Sequence, residues 1–207
     1  MEMFTALGEG TMTNELIFRL LTLVLLLTSF SISIYFRHQA EQEGGQLDKT
    51  QGQGLLIVLR LLGLVVLLPL LLYIINPAWV TWARFWLPDW VRWAAAICAL
   101  SMLPAIYWLF RTIGNNISPT QATRNNHQLV VNGPYRWIRH PLYTFGGVFY
   151  LAITLLTGLW WFGSGLVLAF AILLWRTPQE EANLIARFGD EYRVYMQRTG
   201  PYWPKWT

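Results

Sequence analysis

Apolar residues dominate three separate stretches of the chain, and polar residues are concentrated between them. The three stretches cover residues 16–36, 55–75 and 93–110. A run of about 20 apolar residues has the length that an α-helix needs to cross the hydrocarbon core of a bilayer. The pattern therefore predicts three membrane-spanning helices, and Pro69 predicts a kink in the second of them.

A fourth apolar stretch, 142–175, is longer than one span of about 20 residues and shorter than two. Gly158, Gly163 and Gly165 lie around two tryptophans near its middle and indicate a tight turn. Beyond it, over 179–198, apolar residues recur at helical spacing between charged ones, with a break expected near Gly189. The stretch is therefore interpreted as a helical hairpin, followed by an amphipathic helix.

Together these elements predict an all-α integral membrane protein with about five transmembrane helices and a C-terminal cytoplasmic amphipathic helix. Residues 1–207 would form a single domain, in which 1–110 supply three N-terminal spans and 111–207 supply the catalytic part. The composition agrees, because 55% of the residues are hydrophobic and only 13% are charged, against about 25% charged in soluble domains. This excludes a disordered chain and an ordinary soluble enzyme.

Lysine and arginine are distributed unequally between the two predicted sides of the membrane. Eleven of the 15 lie in the loops 37–54 and 111–141 or in the tail 176–207, whereas the opposite side holds only Arg84 and Arg92. Cytoplasmic loops carry an excess of basic residues, so the C-terminus is predicted in the cytoplasm and the N-terminus outside. Because the basic residues flank apolar runs, we expect no nucleic-acid partner. Arg19 and Arg60 lie within spans and are expected to snorkel.

Tryptophans cluster between the second and third spans, and two more occur in the hairpin turn on the same predicted side. The spacing favours an aromatic belt at the outer membrane interface, with an aromatic ligand cage as the alternative. These residues are Trp79, Trp82, Trp86, Trp90, Trp93, Trp160 and Trp161.

The segment 127–143, directly before the hairpin, concentrates histidine, arginine and aromatic residues. Beyond the hairpin, Arg176 and Glu180 are four residues apart and share a helix face if the helix continues through Pro178. Both ends of the hairpin thus bring polar groups to the cytoplasmic interface. This placement suggests a site where a cytosolic cofactor meets a lipid-like substrate. A simpler interpretation treats the arginines as topology determinants and the glutamates as acids at a helix start. His127 and His140 lack the spacing of a metal site.

Four motifs occur here in order: His-x-Leu-Val at 127–130, Gly-x-Tyr at 133–135, Arg-His-Pro-x-Tyr at 139–143 and Arg-x-x-x-Glu-Glu at 176–181. In these motifs the chain resembles the isoprenylcysteine carboxyl methyltransferases and their prokaryotic relatives. The phospholipid N-methyltransferases share a similar core. The resemblance covers residues 120–200, and it departs from the family pattern at Phe145, where glycine is usual and here comes only at Gly146 and Gly147.

The resemblance implies an S-adenosylmethionine-dependent methyltransferase embedded in the membrane. Its acceptor would be lipophilic, such as the carboxylate of an isoprenylcysteine-like or isoprenoid substrate. Glu180 would hydrogen-bond the cofactor and Arg176 would face the acceptor. The remaining cofactor residues implied are His127, Gln128, Leu129, Val130, Tyr135, His140, Pro141, Leu142 and Tyr143.

The chemistry of methyl transfer leaves the acceptor open. A carboxylate needs no base and can be held by the bidentate fork of an arginine. A phospholipid amine or a thiol must lose a proton, for which His140 and Glu181 are candidates. An NADPH-dependent membrane reductase of the sterol-reductase type and a non-enzymatic membrane scaffold are the other hypotheses.

Overall fold

A computed structural model describes residues 2–43, 53–114 and 129–205, and these ranges fold into six α-helices. Two 3-10 helices, Pro77–Ala83 and Gly133–Arg136, lie between them. Within the described ranges, strand-like pairing is limited to two isolated bridges, so the predicted all-α class is confirmed. The helices are α1 (Glu2–Glu43), α2 (Gln53–Ile75), α3 (Asp89–Ile113), α4 (Pro141–Thr157), α5 (Trp160–Phe188) and α6 (Asp190–Arg198).

Three of these helices have the length and composition of membrane spans. They are the segment Asn14–Ala40 of α1, then α3 and α5, whereas the apolar helices Leu61–Ile75 and Pro141–Thr157 are shorter. Large hydrophobic side chains on α1, α2 and α5 point outward and are exposed, an arrangement that suits lipid rather than water. The protein is an integral membrane protein, and the total of five spans stays a prediction.

The hairpin turn predicted between the fourth and fifth spans lies at Gly158. This residue has a left-handed φ of +68°, and a Cβ there would lie 2.8 Å from the carbonyl oxygen of Phe85. Glycine is therefore required for both conformation and space. The turn involves only the first of the three glycines from which it was predicted, because Gly163 and Gly165 lie inside α5.

The helix α5 continues through Pro178 and ends at Phe188. Gly189 then takes a φ of +57° and separates α5 from α6. The predicted break near Gly189 is confirmed, and the amphipathic segment 179–198 consists of the end of α5 together with α6. Because α5 is unbroken, Arg176 and Glu180 lie one turn apart on the same helix, as the sequence required.

The helix α2 also continues through a proline. Pro69 has no N–H group, so the carbonyl oxygen of Val65, four residues earlier, lacks its usual intrahelical donor. The indole Nε1 of Trp161 donates to this oxygen at 3.2 Å. The proline in α2 is thereby tolerated, and α2 is joined to the start of α5.

At the Trp161 end of the bundle, Arg92 is buried among four helices. Its Nη1 lies 2.8 Å from Glu15 Oε2, its Nη2 donates to Tyr73 Oη at 2.9 Å, and its Nε donates to the carbonyl oxygen of Leu156 at 2.8 Å. Arg84 also contacts Glu15, at 3.2 Å. This network links α1, α2, α3 and α4 far from the loop 129–143.

The structure describes the side chain of only one of the two arginines expected to snorkel. Arg19 turns to the end of α2, where its Nε donates to the carbonyl oxygen of Ile74 at 2.9 Å, so it satisfies a helix end that would otherwise lack a donor. The side chain of Arg60 lies outside the part of the chain that the structure describes.

Exposed tryptophans surround the same end of the bundle. Trp86 is 83% exposed and Trp90 is 73% exposed, and Trp82 packs edge-on against Trp160 and Trp161 at ring-centroid distances of 6.4 and 5.6 Å. Outward-facing indoles at one level favour the membrane-interface belt over a ligand cage.

The orientation in the membrane gives a first testable prediction. We expect a reporter that works only in the cytoplasm to be active when fused to the C-terminus, and a reporter that works only outside to be active when fused to the N-terminus. The reason is that basic residues concentrate on the side of the tail. Paired fusions of a periplasm-active and a cytoplasm-active reporter at each end measure this directly. A C-terminal fusion that is active outside would contradict the assignment.

Candidate active site

The segment 129–143 is fixed against the end of α3. Gly133 has a φ of +57°, and a Cβ there would lie 2.6 Å from Thr112 Oγ1. Pro134 is the second residue of the 3-10 helix and Pro141 is the first residue of α4, both in a first turn, where the missing N–H group is tolerated. The sequence thus forces the chain to turn twice in eight residues before it enters the membrane.

The C-terminal segment pairs with this loop from the other side. The backbone N–H groups of Arg139 and His140 donate to the carbonyl oxygens of Gly200 and Pro201, both at 2.9 Å. Tyr202 Oη donates to Thr177 Oγ1 on α5 at 2.7 Å. The chain end therefore closes over the loop and attaches it to the helix that carries Arg176 and Glu180.

Arg139 connects three elements through one buried side chain. Its Nε lies 2.7 Å from Glu181 Oε1 on α5, and its Nη1 donates to the carbonyl oxygens of Met196 and Thr199 at the end of α6. Both charged side chains are largely buried. The carboxylate of Glu181 is thus held by an arginine, and its catalytic role stays a prediction.

His140 is buried between the two adjacent glutamates. Its ring lies parallel to that of Tyr143, with 5.2 Å between centroids. Its Nδ1 lies 3.9 Å from Glu180 Oε1 and its Nε2 lies 3.4 Å from Glu181 Oε1. Among the described residues, Nε2 has no hydrogen-bond partner, so a buried polar atom is left for a further contact.

A cavity of about 220 Å³ opens beside these groups, and we call it the polar cavity because Arg139, His140 and Glu180 line it. Glu180 lines it and accepts a hydrogen bond of 2.9 Å from Tyr143 Oη. The cavity brings together seven of the residues that the motifs implied for the cofactor, namely Leu129, Val130, Tyr135, His140, Leu142, Tyr143 and Glu180.

One described residue that the motifs implied does not line this cavity. Pro141 is buried as the first residue of α4 and is not part of the cavity wall. His127 and Gln128 lie outside the described residues. Leu184 and Phe188 also line the cavity, although they were not among the cofactor residues that the resemblance implied. They follow Glu180 at four-residue steps, a spacing that places them on the same helix face. Ile113, Tyr192 and Tyr195 also line it, and the local sequence carries no such signal for them.

The tyrosines of this cavity are neutral hydrogen-bonding groups. Burial raises the pKa of Tyr195 to about 12, although Arg139 acts in the opposite direction. Burial also raises the pKa of Tyr135, with Tyr195 and Glu180 adding to the effect. Tyr195 Oη donates to the carbonyl oxygen of Tyr135 at 2.7 Å. At neutral pH both hydroxyl groups therefore keep their protons and supply no general base.

A second cavity, of about 380 Å³, lies between α2 and α5, and we call it the apolar groove. Arg176 is at one end of it, one helical turn before Glu180. Among the described residues, no hydrogen bond or ion pair is made by the Arg176 guanidinium. The other residues that line the apolar groove are Leu62, Gly63, Val66, Leu67, Tyr150, Gly165, Leu168, Ala169, Ile172 and Leu173.

The unusual Phe145-Gly146-Gly147 sequence lies on α4, and Gly147 faces α5. A Cβ at Gly147 would lie 2.6 Å from the ring of Phe170, so glycine permits a close approach of the two helices here. Phe145 packs at the edge of the hydrophobic core.

Known methyltransferases are similar to this chain in sequence. The sequence model of the phospholipid methyltransferase family matches residues 90–191. The human protein-S-isoprenylcysteine O-methyltransferase is 33% identical over 101 residues, which are 42% of this chain and 32% of the human protein. In sequence the chain is similar to the isoprenylcysteine carboxyl methyltransferases. The resemblance inferred from the motifs is thereby confirmed.

Two further similarities delimit this relationship. The eukaryotic intramembrane Ras methyltransferase, an isoprenylcysteine carboxyl methyltransferase of known structure, superposes with a TM-score of 0.53 at 18% identity over 89% of this chain and 67% of that one, which shows a shared fold. The nickel-cobalt-cadmium resistance protein of Alcaligenes xylosoxydans xylosoxydans is 32% identical over 82 residues, 40% of this chain and 38% of that protein. The chain covers about a third of the length of these curated relatives.

Proposed function

We propose that this protein is a membrane-embedded, S-adenosylmethionine-dependent methyltransferase that methylates the carboxylate of an isoprenylcysteine-like or isoprenoid acceptor. One observation carries the proposal. Glu180 lines the polar cavity and Arg176 lines the apolar groove, and one turn of α5 separates them. A water-soluble cofactor and a lipid-soluble acceptor would therefore meet at the same helix.

The polar cavity fits the chemistry of S-adenosylmethionine. Its described walls combine aliphatic side chains and tyrosine rings with the carboxylate of Glu180. Aromatic faces and a carboxylate attract a cationic ligand and suit a flat adenine ring. Arg139, the described cation of this wall, is paired with Glu181. Leu129, Val130, Tyr135, His140, Leu142, Tyr143 and Glu180 would hold the cofactor, which supplies an electrophilic methyl group on a sulfonium.

Arg176 would hold the acceptor for an in-line displacement. Its guanidinium, which makes no hydrogen bond or ion pair with the described residues, suits a carboxylate through two parallel hydrogen bonds. The apolar walls suit the attached lipid tail. Arg176 would aim one carboxylate oxygen at the methyl carbon, and the sulfonium would leave as a neutral thioether that keeps the electron pair of the broken carbon–sulfur bond. No proton moves, so the chain needs to supply orientation and the exclusion of water rather than a base.

Transfer to a phospholipid amine is the second candidate. The match of residues 90–191 to the phospholipid methyltransferase family favours it, and a phosphodiester would also suit Arg176. Against it, Arg176 is the charged residue among the described lining of the apolar groove, and its positive charge repels an ammonium group. An NADPH-dependent reductase is disfavoured because Glu180 would face a polyanionic cofactor.

A methyl-transfer assay tests the proposal. Purified protein in detergent is mixed with S-adenosylmethionine that carries a labelled methyl group and with N-acetyl-S-farnesylcysteine. We expect label in the lipid phase that alkali releases as methanol, because the product is a methyl ester. Label on phosphatidylethanolamine that alkali does not release would identify the second candidate. No label on either lipid, together with no binding of S-adenosylhomocysteine, would overturn the methyltransferase assignment.

Replacement of Glu180 gives a second prediction. Glu180→Gln keeps the size of the side chain and an acceptor for Tyr143, but it removes the charge. We expect S-adenosylhomocysteine to bind about 10- to 150-fold more weakly, because a hydrogen bond to a charged group contributes about 1.5–3 kcal/mol. Isothermal titration calorimetry in detergent measures the affinity.

Glu191→Gln provides the matched control for this change. Glu191 is an exposed glutamate in the first turn of α6, so its loss should leave the affinity unchanged. An equal loss of affinity in both variants would attribute the effect to net charge, and unchanged affinity in Glu180→Gln would remove Glu180 from the cofactor site.

A further inference from the structure

We propose that Gly165, Val66 and Tyr150 close the inner end of the apolar groove and so set the length of the lipid tail that the acceptor can carry. This inference rests on the proposed function, because it assigns the tail of the acceptor to the apolar groove. It concerns a different end of the groove from Arg176.

The three helices α2, α4 and α5 meet at Gly165 without room for a methyl group. A Cβ at this position would lie 2.4 Å from Val66 Cγ1 and 2.7 Å from Tyr150 Oη. Both distances are shorter than non-bonded carbon and oxygen atoms tolerate, and Gly165 itself is buried. The groove is therefore blocked at this level by Val66 from α2 and by Tyr150 from α4.

Hydrogen bonds hold this closed end in place. Just beyond it, Trp161 Nε1 donates to the Val65 carbonyl oxygen that Pro69 leaves free. Tyr150 Oη donates to the carbonyl oxygen of Phe162 at 2.9 Å, and the two rings stack at 3.9 Å. The hydroxyl group of Tyr150 is thus satisfied within the protein.

The groove opens from this point towards Arg176. A Cβ at Gly63, on the α2 wall, would meet no atom within 4 Å. Gly165 and Arg176 are 11 residues apart on α5, which corresponds to about 16 Å of helix. Trp161 of the aromatic belt is only four residues from Gly165, about 6 Å of helix, so a tail anchored at Arg176 reaches the closed end nearer to the belt than to Arg176.

This geometry predicts selection by tail length. A tail that ends at Gly165 buries all of its carbon atoms against the walls. A longer tail must bend out of the groove into the lipid, and it loses the contacts of the displaced part. Deepening the closed end should therefore favour longer tails, and filling it should favour shorter ones.

Val66→Ala and Gly165→Ala test the two directions. Val66→Ala removes the two methyl groups that face Gly165, and we expect the preference for a longer over a shorter tail to rise about tenfold, the discrimination that one methylene gives in an apolar pocket. Gly165→Ala should shift the preference the other way. Because the added methyl group could push α2 and α5 apart, the double variant Val66→Ala/Gly165→Ala is included, and it should return close to the original preference.

The probes are N-acetylcysteines with S-geranyl, S-farnesyl and S-geranylgeranyl groups, which differ by one isoprene unit. Two quantities are measured for each probe, kcat/KM for methyl transfer and the rise in melting temperature in detergent. Val167→Ala is the matched control, since Val167 is 70% exposed on α5 and does not line the groove.

The two readouts separate this inference from the proposed function. A changed tail preference in Val66→Ala, with none in Val167→Ala, supports the closed end at Gly165. The same preference in Val66→Ala as in the original protein overturns it, as does an equal shift in the control. If no probe is methylated, the proposed function fails, and the dependence of the melting temperature on tail length in Val66→Ala still decides whether the closed end limits the tail.

Discussion

Arg176→Ala should lower the rate of methyl transfer by about 100-fold or more, the largest catalytic loss that we expect from a single substitution. Displacing a reactant by about 1 Å costs on the order of 100-fold, and loss of the guanidinium removes the group assigned to orient the acceptor carboxylate. Affinity for S-adenosylhomocysteine should change little, because Glu180 and the polar cavity are retained. Initial rates and calorimetric binding of the same preparations measure the two effects separately.

Arg176→Lys asks whether charge alone is sufficient. Lysine keeps the positive charge but loses the planar fork that binds both carboxylate oxygens, so its rate should lie between those of the original protein and Arg176→Ala. Arg198→Ala removes an exposed arginine of α6 and serves as the charge-matched control. Full turnover in Arg176→Lys would mean that the fork does not position the acceptor. Loss of cofactor binding in Arg176→Ala would reverse the roles of Arg176 and Glu180.

The local sequence predicts the hairpin turn and the helix face that carries Arg176 and Glu180. The turn at Gly158 follows from a backbone conformation that glycine alone adopts easily. The shared face of Arg176 and Glu180 follows from helical periodicity, once α5 passes through Pro178. Each of these conclusions depends on residues that are close together in the chain, so a single sequence contains the whole of the relevant information.

The walls of the two cavities could not be predicted in the same way. The apolar groove lies between α2 and α5, and these helices approach closely at Val66 and Gly165, two residues that are 99 positions apart. Glu181 is chemically suited to act as a base, and its pairing with Arg139 appears only when the loop folds back onto α5. Such contacts depend on how the helices pack, and periodicity gives no information about which helix is the neighbour.

The network around Arg92 lies far from the polar cavity, so its effect on stability can be measured apart from cofactor binding. Arg92 makes its contacts with Glu15, Tyr73 and the Leu156 carbonyl at the opposite end of the bundle from Glu180. It also lies over the ring of Phe18, with 4.0 Å between the guanidinium carbon and the ring centroid. Substitution here should therefore alter the folding of the helix bundle without altering the composition of the site.

Arg92→Met should destabilise the protein by about 3 kcal/mol, the lower end of the range for breaking a buried ion pair. The lower end applies because the side chain of Glu15 is 22% exposed and Arg84 still faces it. Methionine keeps the apolar volume, so the loss reports the missing charge and hydrogen bonds rather than a cavity. Thermal unfolding in detergent should show a lower melting temperature, and affinity for S-adenosylhomocysteine below that temperature should stay the same.

A second variant distinguishes an unpaired charge from a general packing defect. In Glu15→Gln/Arg92→Met the carboxylate that Arg92 neutralised is gone, so part of the lost stability should return, because burial of an uncompensated charge contributes most of the penalty. Arg37→Met, an exposed arginine near the other end of α1, is the control for loss of a positive charge. If the double variant is less stable than Arg92→Met alone, the ion pair is not the source of the effect. The hydrogen bonds of Arg92 to Tyr73 and Leu156 then account for the stability of this end of the bundle.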